Sequence, residues 1–170
     1  MKTQKFLYVL IAFLALASCG KKSAGDFDSD PTLFKEYIAG FTSGFIPAKS
    51  DIRVQLAFQK KDWNPEQELD DDLFSISPSV DGKVKMLSSN TIAFIPDEPL
   101  EQNTLYQVTL NLEKLTTVAD EKLQAFNFSF KTIKQDYILQ TQDLQSYNKN
   151  YYYQYRPIRT ADEMDMALAQ

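Results

Sequence analysis

A two-residue alternation of apolar and polar side chains is the feature that most restricts how this chain can fold. Residues 106–112 show it most clearly, residues 52–58 repeat it, and residues 126–130 place a phenylalanine at every second position. Successive side chains of a β-strand point to opposite faces of a sheet, so each segment predicts a strand with one buried face. Burying three phenylalanines on one face contributes several kcal/mol, at about 1.5–3 kcal/mol for each side chain.

Turn-forming residues separate these segments from further short strands. We expect strands at residues 73–76, 83–87 and 91–95, divided by the dipeptide Asp81-Gly82 and by a Ser-Ser-Asn turn. Short strands with turn signals about every eight to twelve residues are typical of a β-sandwich. The sequence therefore predicts a mostly β fold, with a sandwich over residues 46–133.

Residues 1–18 have the organisation of a signal helix. Lys2 and Lys5 provide a positive start, and the apolar run that follows has about 12 residues, against roughly 20 for a membrane-spanning helix. The run ends in Leu-Ala-Ser-Cys, which looks like a bacterial lipobox. We therefore predict cleavage between Ser18 and Cys19 and lipidation of the Cys19 thiol. An ordinary secretory signal with a chance cysteine is the alternative.

Residues 19–45 are expected to form a lipidated tether with a short helix. The polar residues 21–29 suit a flexible linker. Asp30-Pro31 has the pattern of a helix N-cap followed by a proline in the first turn. Apolar residues at helical spacing then predict a helix to about Ala39, beyond which glycine and proline disfavour its continuation.

Residues 134–170 have a different composition and indicate the incomplete start of a second β-rich domain. Residues 137–144 predict one strand, residues 147–155 predict a second, tyrosine-rich strand, and residues 160–170 have a capped helical pattern. This stretch is too short to bury a core of its own.

The composition excludes several classes of active site. The chain has no histidine, which removes the commonest general base and zinc ligand and makes a Ser-His-Asp triad impossible. Cys19 is the only cysteine, so the exported part has no disulfide. A net charge of −5 with scattered basic residues argues against nucleic acid. We expect no enzymatic activity and no cofactor.

Residues 62–72 are the only candidate for a metal site. They carry six carboxylates and no basic side chain. Calcium takes about six to eight oxygen ligands, and its EF-hand loop needs a glycine and a terminal glutamate that this segment lacks. The sequence therefore favours a solvated loop over a metal site, and we predict no bound metal.

A cluster of four tyrosines is the candidate for ligand binding; its members are Tyr151, Tyr152, Tyr153 and Tyr155. Tyrosine both stacks and forms hydrogen bonds, so the cluster suits a platform for carbohydrate or peptide. The alternative is a strand of the incomplete second domain, with half of the tyrosines facing a core.

The order of strands and turns over about half of the chain resembles the SbsA-type bacterial Ig-like domain. The shared features are a strand, a Pro-Gly turn, a Phe-x-Pro strand end and a Tyr-x-Val strand. The matching segments are 52–58, 74–78 with Gly82, 91–96 with Pro99-Leu100, 104–110 and 126–132. The resemblance implies an Ig-like antiparallel β-sandwich, a fold that serves many functions.

The whole arrangement is similar to the N-terminus of bacterial alpha-2-macroglobulin-family lipoproteins. It combines the Cys-Gly-Lys-Lys sequence that begins at Cys19, a short tether, the Ig-like domain and the Thr-Ala-Asp sequence that begins at Thr160. This resemblance implies a very large periplasmic protein that traps proteases when a bait region is cleaved, in many members through a thioester. The sequence contains neither an assignable bait region nor the thioester motif Cys-Gly-Glu-Gln.

Two functions follow as expectations. The first is a membrane-anchored, non-enzymatic Ig-like module, the N-terminal fragment of an alpha-2-macroglobulin-like periplasmic endopeptidase inhibitor. Its partners would be the membrane, through lipid on Cys19, and proteases, through the full-length protein. The alternative is an independent surface lipoprotein that binds glycan or peptide through its tyrosine-rich strand. We place the protein in the cell envelope, on the outer membrane and facing the periplasm, because Lys21 and Lys22 are not the acidic residue linked to inner-membrane retention.

Overall fold

The period-two segments form the strands of two sheets that pack face to face. The computed structural model of the protein describes residues 27–61 and 63–163. In chain order, the strands of these residues are β1 (Ile38–Phe41), β2 (Gly44–Ile46), β3 (Ile52–Leu56), β4 (Phe74–Ser77), β5 (Gly82–Ser88), β6 (Thr91–Pro96), β7 (Leu105–Asn111), β8 (Ala125–Thr132), β9 (Tyr137–Leu139), β10 (Gln145–Asn148), β11 (Tyr151–Tyr153) and β12 (Ile158–Thr160).

The first sheet has the strand order β1-β3-β6-β5, and all of its neighbouring strands are antiparallel. In β3, Ile52, Val54 and Leu56 are buried, whereas Arg53 and Gln55 between them are exposed. This is the alternation that the sequence predicts for a strand with one face on a core.

The second sheet has the strand order β2-β8-β7-β4. Strand β7 pairs antiparallel with both β8 and β4, whereas β2 runs parallel to β8, with Gly44 opposite Phe130. Only Thr42 and Ser43 separate β1 from β2, so the chain passes from one sheet to the other within two residues.

Aromatic rings connect the two sheets. The ring centroid of Phe41 in β1 lies 5.0 Å from that of Phe126 and 5.4 Å from that of Phe128, both in β8. The rings of Phe74 and Phe94 join β4 to β6 at 6.4 Å. The three phenylalanines of β8 are at most 2% exposed, which confirms the burial that the alternation predicts. The predicted mostly β, sandwich-type fold is confirmed with it.

The short helix predicted up to Ala39 is not formed. Asp30 does cap the segment, because its carboxylate accepts the backbone N–H of Thr32 at 2.9 Å. Residues 31–37 then form successive turns, and the chain becomes extended at Ile38. The turns are closed by local bonds, such as that from the N–H of Phe34 to the carbonyl of Pro31 at 3.1 Å. From Ile38 onward, pairing with β3 takes the place of a continued helix.

Residues 38–46 contribute one strand to each sheet, whereas the sequence suggests a tether as far as residue 45. The apolar side chains that produce the helical spacing pack on the sandwich instead. Phe34 and Ile38 are both buried, and the ring of Phe34 lies 4.9 Å from that of Phe126. Tertiary packing therefore explains the same pattern without a helix.

Residues 137–160 form one long β-hairpin, which we call the C-terminal hairpin. Strand β9 pairs with β12 near its base, and β10 pairs with β11 near its tip. The turn falls at Lys149 and Asn150, inside the segment that the sequence predicts as a single strand. The side-chain oxygen of Asn148 accepts the N–H groups of Asn150 and Tyr151 at 2.9 and 3.1 Å, which stabilises this turn.

Some predictions fall on the ends of the chain. Thr160 ends β12 rather than beginning a helix, and residues 164–170 lie outside the described residues. The predicted signal helix at residues 1–18 also lies outside them, as do Ser18 and Cys19. Within residues 27–61 and 63–163, no helix has the length and apolar character needed to span a membrane.

Candidate binding surface

The four candidate tyrosines lie together on the second arm of the C-terminal hairpin. Tyr151, Tyr152, Tyr153 and Tyr155 are between 50 and 66% exposed. Because neighbouring residues of a strand point to opposite faces, tyrosines are exposed on both faces of the hairpin. No other part of the described chain covers either face, and the alternative that half of the tyrosines face the core of an incomplete second domain stays a prediction.

The two arms of the hairpin form a continuous ribbon between their paired strands. The N–H of Gln140 donates to the carbonyl of Pro157 at 3.0 Å, and the N–H of Gln142 donates to that of Tyr155 at 3.1 Å. The pairs β9-β12 and β10-β11 are each two-stranded in the described residues. Both outer edges of the ribbon are therefore free of a neighbouring strand in this part of the chain.

Local hydrogen bonds fix several side chains of the ribbon. The hydroxyl of Tyr153 donates to the side-chain oxygen of Gln145, directly across the ribbon, at 2.7 Å. Nε and one terminal nitrogen of Arg156 donate to the side-chain oxygen of Gln154 at 2.9 and 2.7 Å. These contacts hold a phenol ring and a guanidinium group on the surface in defined positions.

The base of the hairpin is joined to the sandwich by a buried carboxylate. Asp162 is 7% exposed, and its Oδ2 accepts the backbone N–H of Ala48 at 2.8 Å. The Gln135 amide spans the base: its Oε1 accepts the N–H of Asp162 at 3.0 Å, and its Nε2 donates to the Asp162 carbonyl at 3.3 Å. The N–H of Gln135 in turn donates to the side-chain oxygen of Gln102 at 3.2 Å. The hairpin therefore has a specific attachment to the loops after β2 and β6.

Sequence reasoning missed this attachment. Asp162 falls within the segment predicted as a capped helix at residues 160–170, and Gln135 has no distinguishing neighbours. The contact from Asp162 to Ala48 joins residues 114 positions apart. No local pattern encodes such a pair, so only the fold brings them together.

The acidic segment covers a sheet edge with its backbone. The N–H of Leu69 donates to the carbonyl of Val84 at 2.9 Å, and the N–H of Met86 donates to the carbonyl of Gln67 at 3.0 Å. Residues 66–69 therefore protect the outer edge of β5. The described carboxylates of the segment are exposed, as expected for a solvated loop, whereas Trp63 and Leu69 are partly buried against the core. Asp62 lies outside the described residues.

Basic side chains of the sandwich neutralise part of this acidic segment. Ion pairs join Lys83 to Glu68 at 3.1 Å and Lys85 to Glu66 at 3.6 Å, and Asp72 pairs with Lys114. The hydrogen bond and the charge of Glu68 raise the pKa of Lys83. In the part of the chain that the structure describes, no three acidic, cysteine or histidine residues are grouped to hold a metal ion.

A shallow cleft of about 310 Å³ lies between the loops that follow β4 and β6. Its floor includes Leu100 and Tyr106, and Asp81, Asp97 and Glu101 line it. The oxygen of the Tyr106 hydroxyl accepts the N–H of Glu101 at 2.9 Å, an intramolecular bond that holds the loop. With no histidine in the chain, this cleft offers carboxylates but no general base of that type.

Similar solved structures include L,D-transpeptidases of Mycobacterium tuberculosis. L,D-transpeptidase 3, with a faropenem-derived adduct, is 10% identical with a TM-score of 0.38, over 59% of this chain and 39% of that one. The same enzyme at 1.32 Å resolution is 10% identical with a TM-score of 0.39, over 58% and 38% of the two chains. An L,D-transpeptidase from strain H37Rv is 13% identical with a TM-score of 0.38, over 58% and 41%. This chain thus spans about two fifths of the length of those proteins.

No curated protein matches the sequence. Residues 29–132 match the family of bacterial Ig-like domains. The matched range begins just before the Asp30 cap and ends at the last residue of β8, so it contains both sheets of the sandwich and excludes the C-terminal hairpin. More than half of the chain is covered, and the chain therefore belongs to the family of bacterial Ig-like domains.

Proposed function

We propose that the protein is a membrane-anchored, non-enzymatic Ig-like module of the bacterial cell envelope. The observation that carries the proposal is the Leu-Ala-Ser-Cys box, which ends an apolar segment too short to span a bilayer and is followed by a polar linker and a sandwich. Each buried methylene of a lipid chain contributes roughly 0.8 kcal/mol, and a single chain binds only reversibly. Two or three chains on Cys19 would make the attachment effectively permanent.

Lipidation is tested on the protein expressed with its own signal segment. We expect the mature chain in the membrane fraction, with an N-terminal peptide that has the mass of an acylated cysteine. Cys19→Ser should abolish the modification, whereas Ser18→Ala keeps a small residue before the cleavage site and should leave it intact. A secreted chain with an unmodified Cys19 thiol would mean that the segment is an ordinary secretory signal.

The finer proposal is that this module is the N-terminal part of an alpha-2-macroglobulin-like endopeptidase inhibitor on the outer membrane, facing the periplasm. It rests on the resemblance of the lipobox, tether, Ig-like domain and the sequence that begins at Thr160. Protease trapping would then belong to the full-length protein, because residues 1–170 contain no assignable bait region. Sequencing the DNA downstream of the codon for Gln170 tests this proposal, which expects macroglobulin-like sequence there. Unrelated sequence in every frame would remove the proposal.

The absence of enzymatic activity is proposed on chemical grounds. The chain has no histidine, and its only thiol is assigned to lipid. Bacterial Ig-like domains are in general non-catalytic, and the residues that form this sandwich are assigned to that family. The carboxylates that line the cleft beside Tyr106 therefore have no histidine or thiol to act with in acid–base chemistry.

A second candidate function is the binding of glycan or peptide through the tyrosines of the hairpin, in an independent surface lipoprotein. The exposure of all four tyrosines favours it. The test uses the mature chain with Cys19→Ser in place of the lipid, applied to arrays of envelope glycans and of peptides. Tyr152→Ala should weaken binding, whereas Phe45→Ala removes a 73% exposed ring on β2 and should not. No binding on either array would remove this candidate.

A further inference from the structure

The C-terminal hairpin concentrates the exposed apolar surface of the protein. Of the twelve exposed large hydrophobic side chains among the described residues, nine lie between residues 137 and 160. They are Tyr137, Ile138, Leu139, Leu144, Tyr151, Tyr152, Tyr153, Tyr155 and Ile158. An isolated two-stranded hairpin is marginally stable in water. Because large exposed apolar surfaces mark interaction sites, we expect a partner to cover this hairpin.

The outer edge of the second arm is suited to pairing with another strand. In an antiparallel pair, the N–H and C=O of one residue point to the same side. Tyr155 and Pro157 accept hydrogen bonds from the first arm, so Gln154, Arg156 and Ile158 present their backbone groups outward. Pro157, which has no N–H, lies on the inner side and does not interrupt this outer row of donors.

The charge of the hairpin is opposite to that of the sandwich. Residues 144–161 contain Lys149, Arg156 and Arg159 and no carboxylate, although the whole chain has a net charge of −5. Among the described residues, none of these three cations forms an ion pair. Tyrosine and arginine are also the residues enriched at the centres of protein interfaces, where lysine, glutamate and aspartate are depleted.

We propose that the outer edge of the second arm, from Tyr151 to Thr160, binds an extended acidic strand of a protein partner by β-augmentation. The partner backbone pairs with the outward groups of Gln154, Arg156 and Ile158, and its carboxylates meet Arg156 and Arg159. A polypeptide fits better than a glycan because only a second backbone matches a regular row of N–H and C=O groups. The proposal rests on the second candidate function and specifies its ligand.

The attachment at Asp162 and Gln135 supports this role. It fixes the hairpin base to the sandwich through hydrogen bonds of 2.8 to 3.3 Å. A strand edge that is held in place before binding loses less conformational entropy when a partner is added.

Arg156 and Arg159 are three residues apart in one strand register and therefore lie on opposite faces of the hairpin. The test uses the mature chain with Cys19→Ser and a synthetic peptide of about ten residues, a typical upper strand length, in which pairs of glutamates alternate with pairs of valines so that both faces carry carboxylates. We expect saturable binding, with the amide resonances of Gln154, Arg156 and Ile158 among those most shifted in NMR spectra. The same peptide with lysine for glutamate, or with N-methyl groups on alternate amides, should bind at least about tenfold more weakly, since one loses charge complementarity and the other loses backbone pairing.

Charge-reversal variants distinguish a specific role of the hairpin cations from an effect of the net charge of the protein. Arg156→Glu combined with Arg159→Glu should weaken binding of the glutamate peptide at least about tenfold. Lys35→Glu combined with Lys122→Glu is the matched control, because it reverses the same number of exposed charges. Lys35 is next to Phe34, which packs on the start of β8, and Lys122 shortly precedes β8, whereas the hairpin follows the end of β8. The affinity of this control should equal that of the unsubstituted chain.

Five outcomes would overturn the proposal. Equal binding of the lysine peptide would remove the acidic specificity. Amide shifts confined to another sheet edge, such as β4, would move the site. Dimerisation through the hairpin without peptide, seen by light scattering, would make a second copy the occupant. Glycan binding without peptide binding would also overturn it while the second candidate function survives; loss of both would end that function as well.

Discussion

At the scale of single residues, Gly82 occupies a position with no room for a side chain. A Cβ there would lie 2.4 Å from the carbonyl oxygen of Ile95 and 2.7 Å from a ring carbon of Phe94. We expect Gly82→Ala to lower the free energy of unfolding by about 1–3 kcal/mol, because β5 and β6 must separate. Urea denaturation measures the change. Gly40→Ala is the control, since its nearest neighbouring atom would be 3.7 Å away, and an equal loss there would refute the steric explanation.

Asp162 supports a second residue-scale prediction. Its carboxylate is the acceptor for the buried N–H of Ala48, so Asp162→Ala should destabilise the protein by about 1–3 kcal/mol by leaving that donor unpaired. The amide proton of Ala48 should also exchange faster with solvent. Asp143→Ala removes an exposed carboxylate of the hairpin and should change stability by less than about 0.5 kcal/mol. Matching effects of the two substitutions would contradict a specific role for Asp162.

Asp30 gives a prediction about pH. The hydroxyl and then the backbone N–H of Thr32 donate to its carboxylate at 2.7 and 2.9 Å, and they lower the pKa of Asp30 below the ordinary 3.8. A carboxyl with a lowered pKa in the folded state stabilises the fold above its unfolded pKa, and that contribution disappears as the pH falls through the folded value. We expect an NMR titration to give a midpoint below 3.8, and Thr32→Val to raise it. An unchanged midpoint in the variant would exclude the hydroxyl as the cause.

At the scale of elements, the sandwich and the C-terminal hairpin should differ in local stability. Strand β8 alternates buried and half-buried residues along its whole length, and β7 does so from Tyr106 onward, whereas β9 and β11 are exposed throughout. Regions with few buried apolar contacts open more readily. Backbone amides within residues 137–160 should therefore exchange at least about tenfold faster than that of Phe128. Equal protection would mean that the hairpin unfolds only together with the sandwich.

The elements also show which parts of the fold a sequence can predict. Strands β3, β7 and β8 follow from period-two patterns, because each has one face on the core and its register is visible locally. The segment of Phe34 and Ile38 has helical spacing, yet from Ile38 it continues as a strand because the backbone partner of this strand, β3, lies further along the chain. The turn inside the tyrosine-rich segment depends on Asn148, whose capping side chain is a weak signal in a polar sequence.

At the scale of the whole molecule, the candidate surface also combines features that the sequence predicts with features that only the complete fold produces. The tyrosines can be singled out from the sequence, because an aromatic cluster is a local feature. Their exposure on both faces of the hairpin cannot be predicted from the sequence, because it depends on which surfaces the rest of the chain leaves uncovered. The hydrogen bonds that join Asp162 to Ala48 and to Gln135 likewise form only in the complete fold. The predicted lipobox is the opposite case, because the pattern that suggests it lies entirely in consecutive residues 16–19.

The parallel pairing of β2 with β8 has a mechanical consequence. Gly44, Phe45 and Ile46 lie opposite Phe130, Lys131 and Thr132, and the two strands point the same way. Tension between the N-terminal side of the sandwich and the hairpin pulls these neighbours in opposite directions along their lengths, so their hydrogen bonds are loaded together rather than broken one after another. In the proposed module, attached through lipid at one end and bound to a partner at the other, this strand pair would carry tension in shear.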